Sequence, residues 1–226
     1  MKKFLLAVSI LLQTACIYCQ QLNQVKFANG SDLSFFSFLT DQGVQIRVSD
    51  DGKVLEWGIE VMSDRYNYYA PKLQPFLARI EYFDPASDSA FKGKVKTIGS
   101  CFITYYGANE NENKRGKLKT IGSLYLDYFS MYDEKSLQGK LKLIGSLSLE
   151  YYRPFDNAAF RGKLKSIGSS AITYYSAFDD KFNAGKIKSI GSASYLWHSG
   201  YDRYSRGGLK SNNYRQMISG ITYILR

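Results

Sequence analysis

Residues 93–106, GKVKTIGSCFITYY, decide the fold because the chain repeats their pattern. The first eight of these residues follow the rule G-K-[VLI]-K-x-I-G-S, which recurs at a period of 23 residues. The five copies begin at Gly93, Gly116, Gly139, Gly162 and Gly185. A fixed period of this length is the signature of a repeat architecture, in which each unit packs on its neighbours.

Each unit reads as a β-hairpin. The pattern K-[VLI]-K-x-I predicts a first strand, and Gly-Ser predicts a two-residue turn with glycine where a type II′ turn needs it. The second strand alternates, which places three columns on one face. The columns are Cys101, Leu124, Leu147, Ser170 and Ala193; Ile103, Leu126, Leu149, Ile172 and Tyr195; and Tyr105, Tyr128, Tyr151, Tyr174 and Trp197. We therefore predict an all-β protein, an array of antiparallel hairpins in an extended, solenoid-like meander, with these columns buried.

The register of the hairpin poses a problem. With a strict two-residue turn, the lysines of the first strand fall on the same face as the apolar columns of the second strand. Because glycine recurs at the turn in every copy, we expect a β-bulge near Gly99 and its equivalents to change the register.

The chain divides into three parts. Residues 1–19 are predicted to be a signal peptide, residues 20–69 an N-terminal region of strands that caps the array, and residues 70–226 the array itself. Its first and last copies are degenerate, as the ends of a repeat array require. The strands read between residues 24 and 60 are expected to begin the same sheet.

The N-terminus predicts export. Lys2 and Lys3 precede an apolar run from Phe4 to Leu12, which is too short to span a bilayer. Cleavage is expected after Cys19; a lipid anchor on Cys16 is less favoured, because Gln13 occupies the position where the bacterial lipobox normally has leucine. The rest of the sequence has no run of 18 apolar residues, so no transmembrane segment is predicted in the mature chain. We expect a protein that is secreted, periplasmic or at the cell surface.

Composition excludes several classes of function. Among the 226 residues, 45% are hydrophobic and 22% charged, which argues against a disordered chain. After cleavage Cys101 is the one cysteine left, so no disulfide framework is expected, and the thiol reads as a small buried apolar residue. His198 is the one histidine and occupies an aromatic position of the repeat, so a catalytic triad or a histidine-based metal site lacks its partners. The protein is therefore not expected to be an enzyme.

The connectors between hairpins carry recurring aspartates, four of them directly after an aromatic residue: Asp133, Asp156, Asp179 and Asp202. Calcium needs six to eight oxygen ligands, and each connector supplies only one or two carboxylates. Turn chemistry explains these residues better, so we expect no metal and no cofactor. The same carboxylates leave open an envelope glycan hydrolase as an alternative function, although a repeated position is a poor place for a unique catalytic pair.

Ten lysines form the most suggestive surface of this basic chain, whose formal net charge is +10. Stacking should align them in two rows, which Asp127 and Glu150 compensate only in part. One interpretation is solubility; the other is a candidate polyanion-binding stripe for acidic polysaccharide or another cell-surface polymer. Nucleic acid is not expected for an exported protein, and a purely structural spacer remains a further alternative. The lysines are Lys94, Lys96, Lys117, Lys119, Lys140, Lys142, Lys163, Lys165, Lys186 and Lys188.

The GK[VLI]KxIGS units resemble those of secreted Bacteroidota-type proteins with 23-residue β-hairpin repeats. More distantly, the period and the glycine punctuation resemble MORN and YD repeats over residues 70–226. The resemblance implies an exported hairpin array and no particular activity, and the absence of the MORN core motif means that lipid binding is not carried over.

Overall fold

The structure consists of β-strands. A computed structural model describes residues 20–61, 73–202, 206–211 and 213–226, and within these residues there are eighteen strands and no helix, which confirms the all-β class. The N-terminal strands are β1 (Gln21–Ala28), β2 (Asp32–Leu39), β3 (Val44–Val48), β4 (Val54–Glu60) and β5 (Leu73–Gln74). The array contains β6 (Ile80–Tyr82), β7 (Val95–Ile98), β8 (Cys101–Tyr105), β9 (Leu118–Ile121), β10 (Leu124–Tyr128), β11 (Leu141–Ile144), β12 (Leu147–Tyr151), β13 (Leu164–Ile167), β14 (Ser170–Tyr174), β15 (Ile187–Ile190) and β16 (Ala193–Ser194). The chain ends with β17 (Arg215–Ile218) and β18 (Ile221–Leu225).

Strands β6 to β16 form one eleven-stranded antiparallel sheet in chain order. Its hairpins have the predicted two-residue turn: Ile98 pairs with Cys101, and Thr97 pairs with Phe102. Gly99 has a φ of +58°, in the left-handed region that glycine adopts without steric cost. The hairpin meander predicted from the repeat is thus confirmed.

The β-bulge lies elsewhere than predicted. The pairing across the Gly99 turn is regular, whereas the register shifts between successive hairpins. There Thr104 pairs with Thr120 and Tyr105 pairs with Leu118, so Lys119 is the extra residue. The equivalent shift recurs at the other inter-hairpin pairings. A bulge inside the first strand lets both of its apolar residues face one side, which a bulge at the turn would not do.

Strands outside the array form a second sheet. Its order is β17-β18-β1-β2-β3-β4-β5, and β1 pairs with β18 in parallel. The expectation that strands between residues 24 and 60 begin the array's sheet is wrong, because they pair among themselves and with the end of the chain. These strands instead contribute Phe27, Phe36 and Ile46 to the core that also contains the second and third columns of the array. The prediction that the first column is buried holds for Cys101 and Ser170, whereas Leu124, Leu147 and Ala193 are only partly buried.

The two sheets pack against each other through one hydrophobic core. We call the face of the array that meets the seven-stranded sheet the inner face, and the opposite side the outer face. At the inner face, a side chain on Gly52 would collide with Tyr128, and one on Gly30 would collide with Trp197. The Leu141 amide donates to the Asp50 carbonyl at 2.8 Å across the same contact. The turns of the seven-stranded sheet are therefore fitted to particular repeats.

The degenerate copies at the ends of the array differ in their surroundings. Ile80 of β6 pairs with Ile98 in the register that Ile103 and Ile121 show between full copies. At the other end, Trp197 forms an isolated antiparallel bridge with Leu209, after which β17 and β18 lie in the seven-stranded sheet.

The predicted signal peptide, with Cys16 and Cys19, lies outside the described residues. Within the part of the chain that the structure describes, no helix has the length and apolar character needed to cross a membrane.

Candidate functional site

The structure divides the ten predicted lysines into two rows with different surroundings. The first lysine of each copy precedes the strand and lies beside the inner face; these form the inner row, Lys94, Lys117, Lys140, Lys163 and Lys186. The second lysine of each copy is the bulged residue; these form the outer row, Lys96, Lys119, Lys142, Lys165 and Lys188. The sequence predicted the two rows but not this division.

Each inner lysine connects two repeats. The Nζ of Lys140 donates to the carbonyl of Gly162 at 2.9 Å, and Lys163 makes the equivalent bond to Gly185 at 2.9 Å. The same bond to the glycine of the next copy is made by Lys94, Lys117 and Lys186. Each of the five ammonium groups also lies 4.8–5.5 Å from the centre of a buried tyrosine or tryptophan ring, a favourable cation–π distance.

The inner row also meets acidic residues of the seven-stranded sheet. Lys163 Nζ lies 3.0 Å from an Asp32 carboxylate oxygen and donates to the Ser31 hydroxyl, and Lys140 Nζ lies 3.7 Å from Asp50. Burial lowers the pKa of Lys117 from its ordinary value. The inner lysines are thus part of the contact between repeats and between sheets.

The outer row has a different environment. Its ammonium groups lie 5.2–6.0 Å from the rings of the outer aromatic column, Phe83, Tyr106, Phe129, Tyr152 and Tyr175. The side chains of Lys142, Lys165 and Lys188 are 46–51% exposed, against 18% and 26% for the inner Lys163 and Lys140. Lys142, Lys165 and Lys188 therefore present charge to solvent while their stems pack along aromatic rings, whereas Lys96 and Lys119 are half-buried.

Acidic side chains reach only part of the outer row. Lys142 Nζ lies 3.2 Å from Asp133 and Lys188 Nζ lies 2.9 Å from Asp179, two partners on the connectors that the sequence did not predict. Lys165 lies 3.9 Å from Glu150, whereas Asp127, the other acid expected to compensate, binds Lys114 at 2.5 Å. Among the described residues, no ion pair reaches Lys96 or Lys119.

A groove of about 460 Å³ lies on the outer face between two outer lysines. Lys142, Lys165 and Arg153 line it together with Phe129 and Glu150. Arg153 was not predicted from the sequence. It stands in a connector, and its ion pair with Glu134 is long, at 3.8 Å. The groove thus brings three basic side chains together with the aromatic residues Phe129 and Tyr151.

A larger concavity, of about 500 Å³, lies where the two sheets meet. Trp57, Tyr82 and Arg115 line it with the inner lysines Lys94 and Lys117. Each of these lysines already donates to a glycine carbonyl and lies over a ring. Their charges are therefore less available to a ligand than those of the outer groove.

The connector aspartates fold the connectors. Each accepts a hydrogen bond from the amide three residues before it: Asp133 from Ser130 at 2.7 Å, Asp156 from Arg153 at 2.5 Å, Asp179 from Ser176 at 2.9 Å and Asp202 from Ser199 at 2.6 Å. The turn interpretation is confirmed by these bonds. Within the described residues, no three His, Cys, Asp or Glu side chains come together as a metal site would require.

The two residues considered for chemistry lie apart. Burial raises the pKa of the Cys101 thiol to about 11, and the side chain is 2% exposed, so the thiol is protonated and inaccessible at neutral pH. His198 Nδ1 lies 3.1 Å from Asp202 in the last connector.

The connectors also carry a feature that the sequence did not predict. The aromatic residues that precede the four connector aspartates are almost fully exposed: Tyr132, Phe155, Phe178 and Tyr201, between 89% and 96%. The pairing of an aromatic residue with an aspartate was visible in the sequence, but its exposure was not.

Comparison of the chain with protein-family models, with curated proteins and with solved structures found no match.

Proposed function

We propose that the protein is an exported, non-enzymatic scaffold that binds acidic polysaccharide through its outer row of lysines. The observation that carries the proposal is the outer groove, which Lys142, Lys165 and Arg153 line together with Phe129, whose ring lies 5.2 Å from the Lys142 ammonium group. A sugar carboxylate or sulfate would pair with the basic groups, and the apolar face of the sugar would pack on the ring.

The existing acids of the groove do not prevent such binding. The ion pairs of Lys165 with Glu150 and of Arg153 with Glu134 are long, at 3.9 and 3.8 Å, and partly exposed. Exposed pairs of this kind contribute about 0–1 kcal/mol, so an incoming anion can replace them at little cost.

The repeat favours a polymer over a small anion. Successive hairpins are two strand spacings apart, roughly 9.6 Å. Because screening at ~0.15 M salt acts over about 8 Å, each outer lysine attracts an anionic group nearly independently of the next. A polymer with many charges adds such weak contacts along one chain.

The proposal is tested by binding to immobilised alginate, a linear polyuronate. The wild-type protein should bind at low salt and bind more weakly as salt rises. Replacing the three basic groove residues, as Lys142→Gln, Arg153→Gln and Lys165→Gln together, should weaken binding roughly tenfold or more, since three exposed pairs are lost.

A matched control removes three positive charges elsewhere, at the exposed Lys53, Lys92 and Lys210. This variant should lose clearly less affinity. Equal loss in both variants would mean that net charge alone attracts the polymer. If the wild-type protein binds neither alginate nor a sulfated polysaccharide at low salt, the outer row serves solubility and the spacer interpretation holds.

A further inference from the structure

The exposed aromatic residues of the connectors form a row of their own. We define the aromatic row as Tyr132, Phe155, Phe178 and Tyr201, which follow one another at the 23-residue period. An aromatic side chain buries 150–250 Å² when it packs, yet these four remain between 89% and 96% exposed. Single exposed apolar residues are common, but the same large ring exposed in four consecutive repeats indicates an interaction surface.

The connectors hold these rings at equivalent places. Each ring directly precedes the aspartate that accepts the amide three residues before it, and Ser130 and Ser176 add hydroxyl bonds to the same carboxylates at 2.9 and 2.6 Å. Because each connector repeats this geometry, the rings succeed one another at the spacing of the hairpins, roughly 9.6 Å. The row is therefore evenly spaced.

The aromatic row lies beside the outer row of lysines. Lys142 pairs with the aspartate after Tyr132, and Lys188 pairs with the aspartate after Phe178. A ligand that lies along one row is therefore within reach of the other. The two rows together offer apolar rings and positive charge in parallel.

We propose that the aromatic row binds the ring faces of a linear polysaccharide. A sugar ring has an apolar face of C–H groups and a polar rim, so it packs on an aromatic side chain while its hydroxyls stay in water. Four rings at even spacing match a polymer of repeating units, whereas a small ligand would use only one of them. The choice of a polysaccharide rests on the proposed function, but contacts with the rings need no charge.

Other partners fit the row less well. A folded protein would bury a continuous apolar patch, whereas polar connector residues separate these rings. An anionic membrane surface would meet four carboxylates, Asp133, Asp156, Asp179 and Asp202, each next to a ring. Repulsion between these carboxylates and the lipid headgroups opposes that mode of binding.

The experiment distinguishes the contribution of the aromatic row to polysaccharide binding from that of the basic groove residues. Hydroxyethyl cellulose, a neutral linear polysaccharide, is the probe, and affinity electrophoresis at high salt is the measurement. Changing all four residues of the aromatic row to serine should weaken binding roughly tenfold or more, because each stacked ring contributes on the order of 1 kcal/mol. The groove variant with Lys142→Gln, Arg153→Gln and Lys165→Gln should bind this neutral polymer as the wild type does.

The chain offers a variant that extends the row. Asn109, which is exposed, stands in the preceding repeat where the aromatic residue would be. Asn109→Tyr should strengthen binding, and because the site is exposed the fold should remain intact by circular dichroism.

Two results would overturn the inference without affecting the proposed function. One is unchanged binding of hydroxyethyl cellulose after the four serine substitutions, with salt-dependent binding of alginate retained. The other is binding of phosphatidylserine vesicles, but not of hydroxyethyl cellulose, that disappears with the rings while salt-dependent binding of alginate is retained. If the groove variant loses alginate binding at low salt and the aromatic-row variant does not, the result tests the role of the lysines and leaves that of the aromatic row unaffected.

Discussion

The inner and outer rows contain the same residue, two positions apart in each copy of the repeat, and yet they have different surroundings. Lys163 donates to a glycine carbonyl of the next repeat and pairs with Asp32 of the other sheet. Lys165 has a side chain that is 51% exposed and one long ion pair, at 3.9 Å. The bulge between hairpins turns one lysine towards the contact between sheets and the other towards solvent.

This difference shows that a repeated charge need not be a binding surface. Half of the predicted polyanion stripe connects repeats, which leaves the outer half for the binding that we propose. A variant that changes both rows at once would therefore confuse loss of folding with loss of binding.

The largest expected effect is a loss of unfolding free energy at alkaline pH, caused by the buried tyrosines of the inner face. Burial raises the pKa of Tyr195 and Tyr223 to about 12, and it raises the pKa of Tyr128, under the inner row, well above the ordinary value. The unfolded chain loses these protons near pH 10 while the folded protein keeps them, so stability is present below about pH 10 and falls above it. Urea unfolding from about pH 8 to about pH 11 should show a loss that begins near pH 10 and then approaches ~1.4 kcal/mol per pH unit for each such tyrosine.

The inner lysines act in the opposite direction. Burial lowers the pKa of Lys94, Lys117 and Lys186, so the unfolded chain binds more protons than the folded protein around pH 10 and the contribution of these three lysines to stability rises there. The tyrosines outnumber them and are more buried, and the net effect should be a loss. Tyr128→Phe, which removes a bond to the Leu118 carbonyl, should lower stability at about pH 8 and flatten the alkaline slope. The same change at exposed Tyr132 is the control; an equal flattening there would contradict burial as the cause.

The next largest effect compares the rows directly. Lys163→Met should lower the unfolding free energy by about 2–3 kcal/mol, because in a partly buried place the Gly185 carbonyl keeps only its bond from the Ser31 hydroxyl, that hydroxyl loses its own donor, and Asp32 loses its ion pair. Lys165→Met should change it by less than ~0.5 kcal/mol, as expected for one exposed pair. Urea unfolding at neutral pH measures both, and equal losses would remove the distinction between the rows.

Much of the array could be predicted from the sequence because its signals are local. Glycine at the turn and alternation in the second strand are properties of a few adjacent residues, and they fixed the hairpin. The bulge was also signalled: Val95 and Ile98 are apolar at a spacing of three, which strict alternation cannot bury on one face. The predicted bulge near Gly99 rested on the recurring glycine of the turn and not on this spacing within the strand.

The division of the lysines could not be predicted in the same way. The acceptor of each inner lysine lies 21 or 22 residues ahead, and the acids Asp32 and Asp50 come from a different sheet. Nor does the sequence show that β18 returns to pair with β1. These contacts depend on how the two sheets pack, which the repeat pattern alone does not determine.

A smaller change in unfolding free energy is expected for Cys101→Leu. Its size should depend on the residues that contact this position and not on the residue type alone. Leucine stands in the same column at Leu124 and Leu147, whose side chains lie against the next turns at Gly145 and Gly168. Cys101→Leu must instead displace Gln20, which lies against Gly122. The cost should be under ~1.5 kcal/mol by urea unfolding. A larger loss would show that the first repeat is not equivalent to the later ones.

The smallest expected effect concerns the acids of the outer row. Bonds from the Ser176 hydroxyl and amide, together with Lys188, hold the pKa of Asp179 well below its usual range. The carboxylate therefore stabilises the folded protein above the unfolded pKa, near pH 4, and this contribution is lost as the pH falls through the folded pKa. Asp179→Asn keeps an acceptor for the Ser176 amide but loses the ion pair, so it should lower thermal stability slightly at neutral pH and by less at about pH 2.

Asp156→Asn is the matched control for that change, because Asp156 accepts the equivalent amide bond, from Arg153, and no ion pair reaches it among the described residues. It should destabilise less than Asp179→Asn at neutral pH. If the two variants lose the same stability, the lysine of the outer row adds nothing to the connector, and its charge is free for a ligand even where an aspartate lies beside it. If Asp179→Asn alone is less stable, Lys188 must exchange one carboxylate for another when an acidic polymer binds. Lys96 and Lys119, which no ion pair reaches within the part of the chain that the structure describes, should then contribute more to affinity than Lys188.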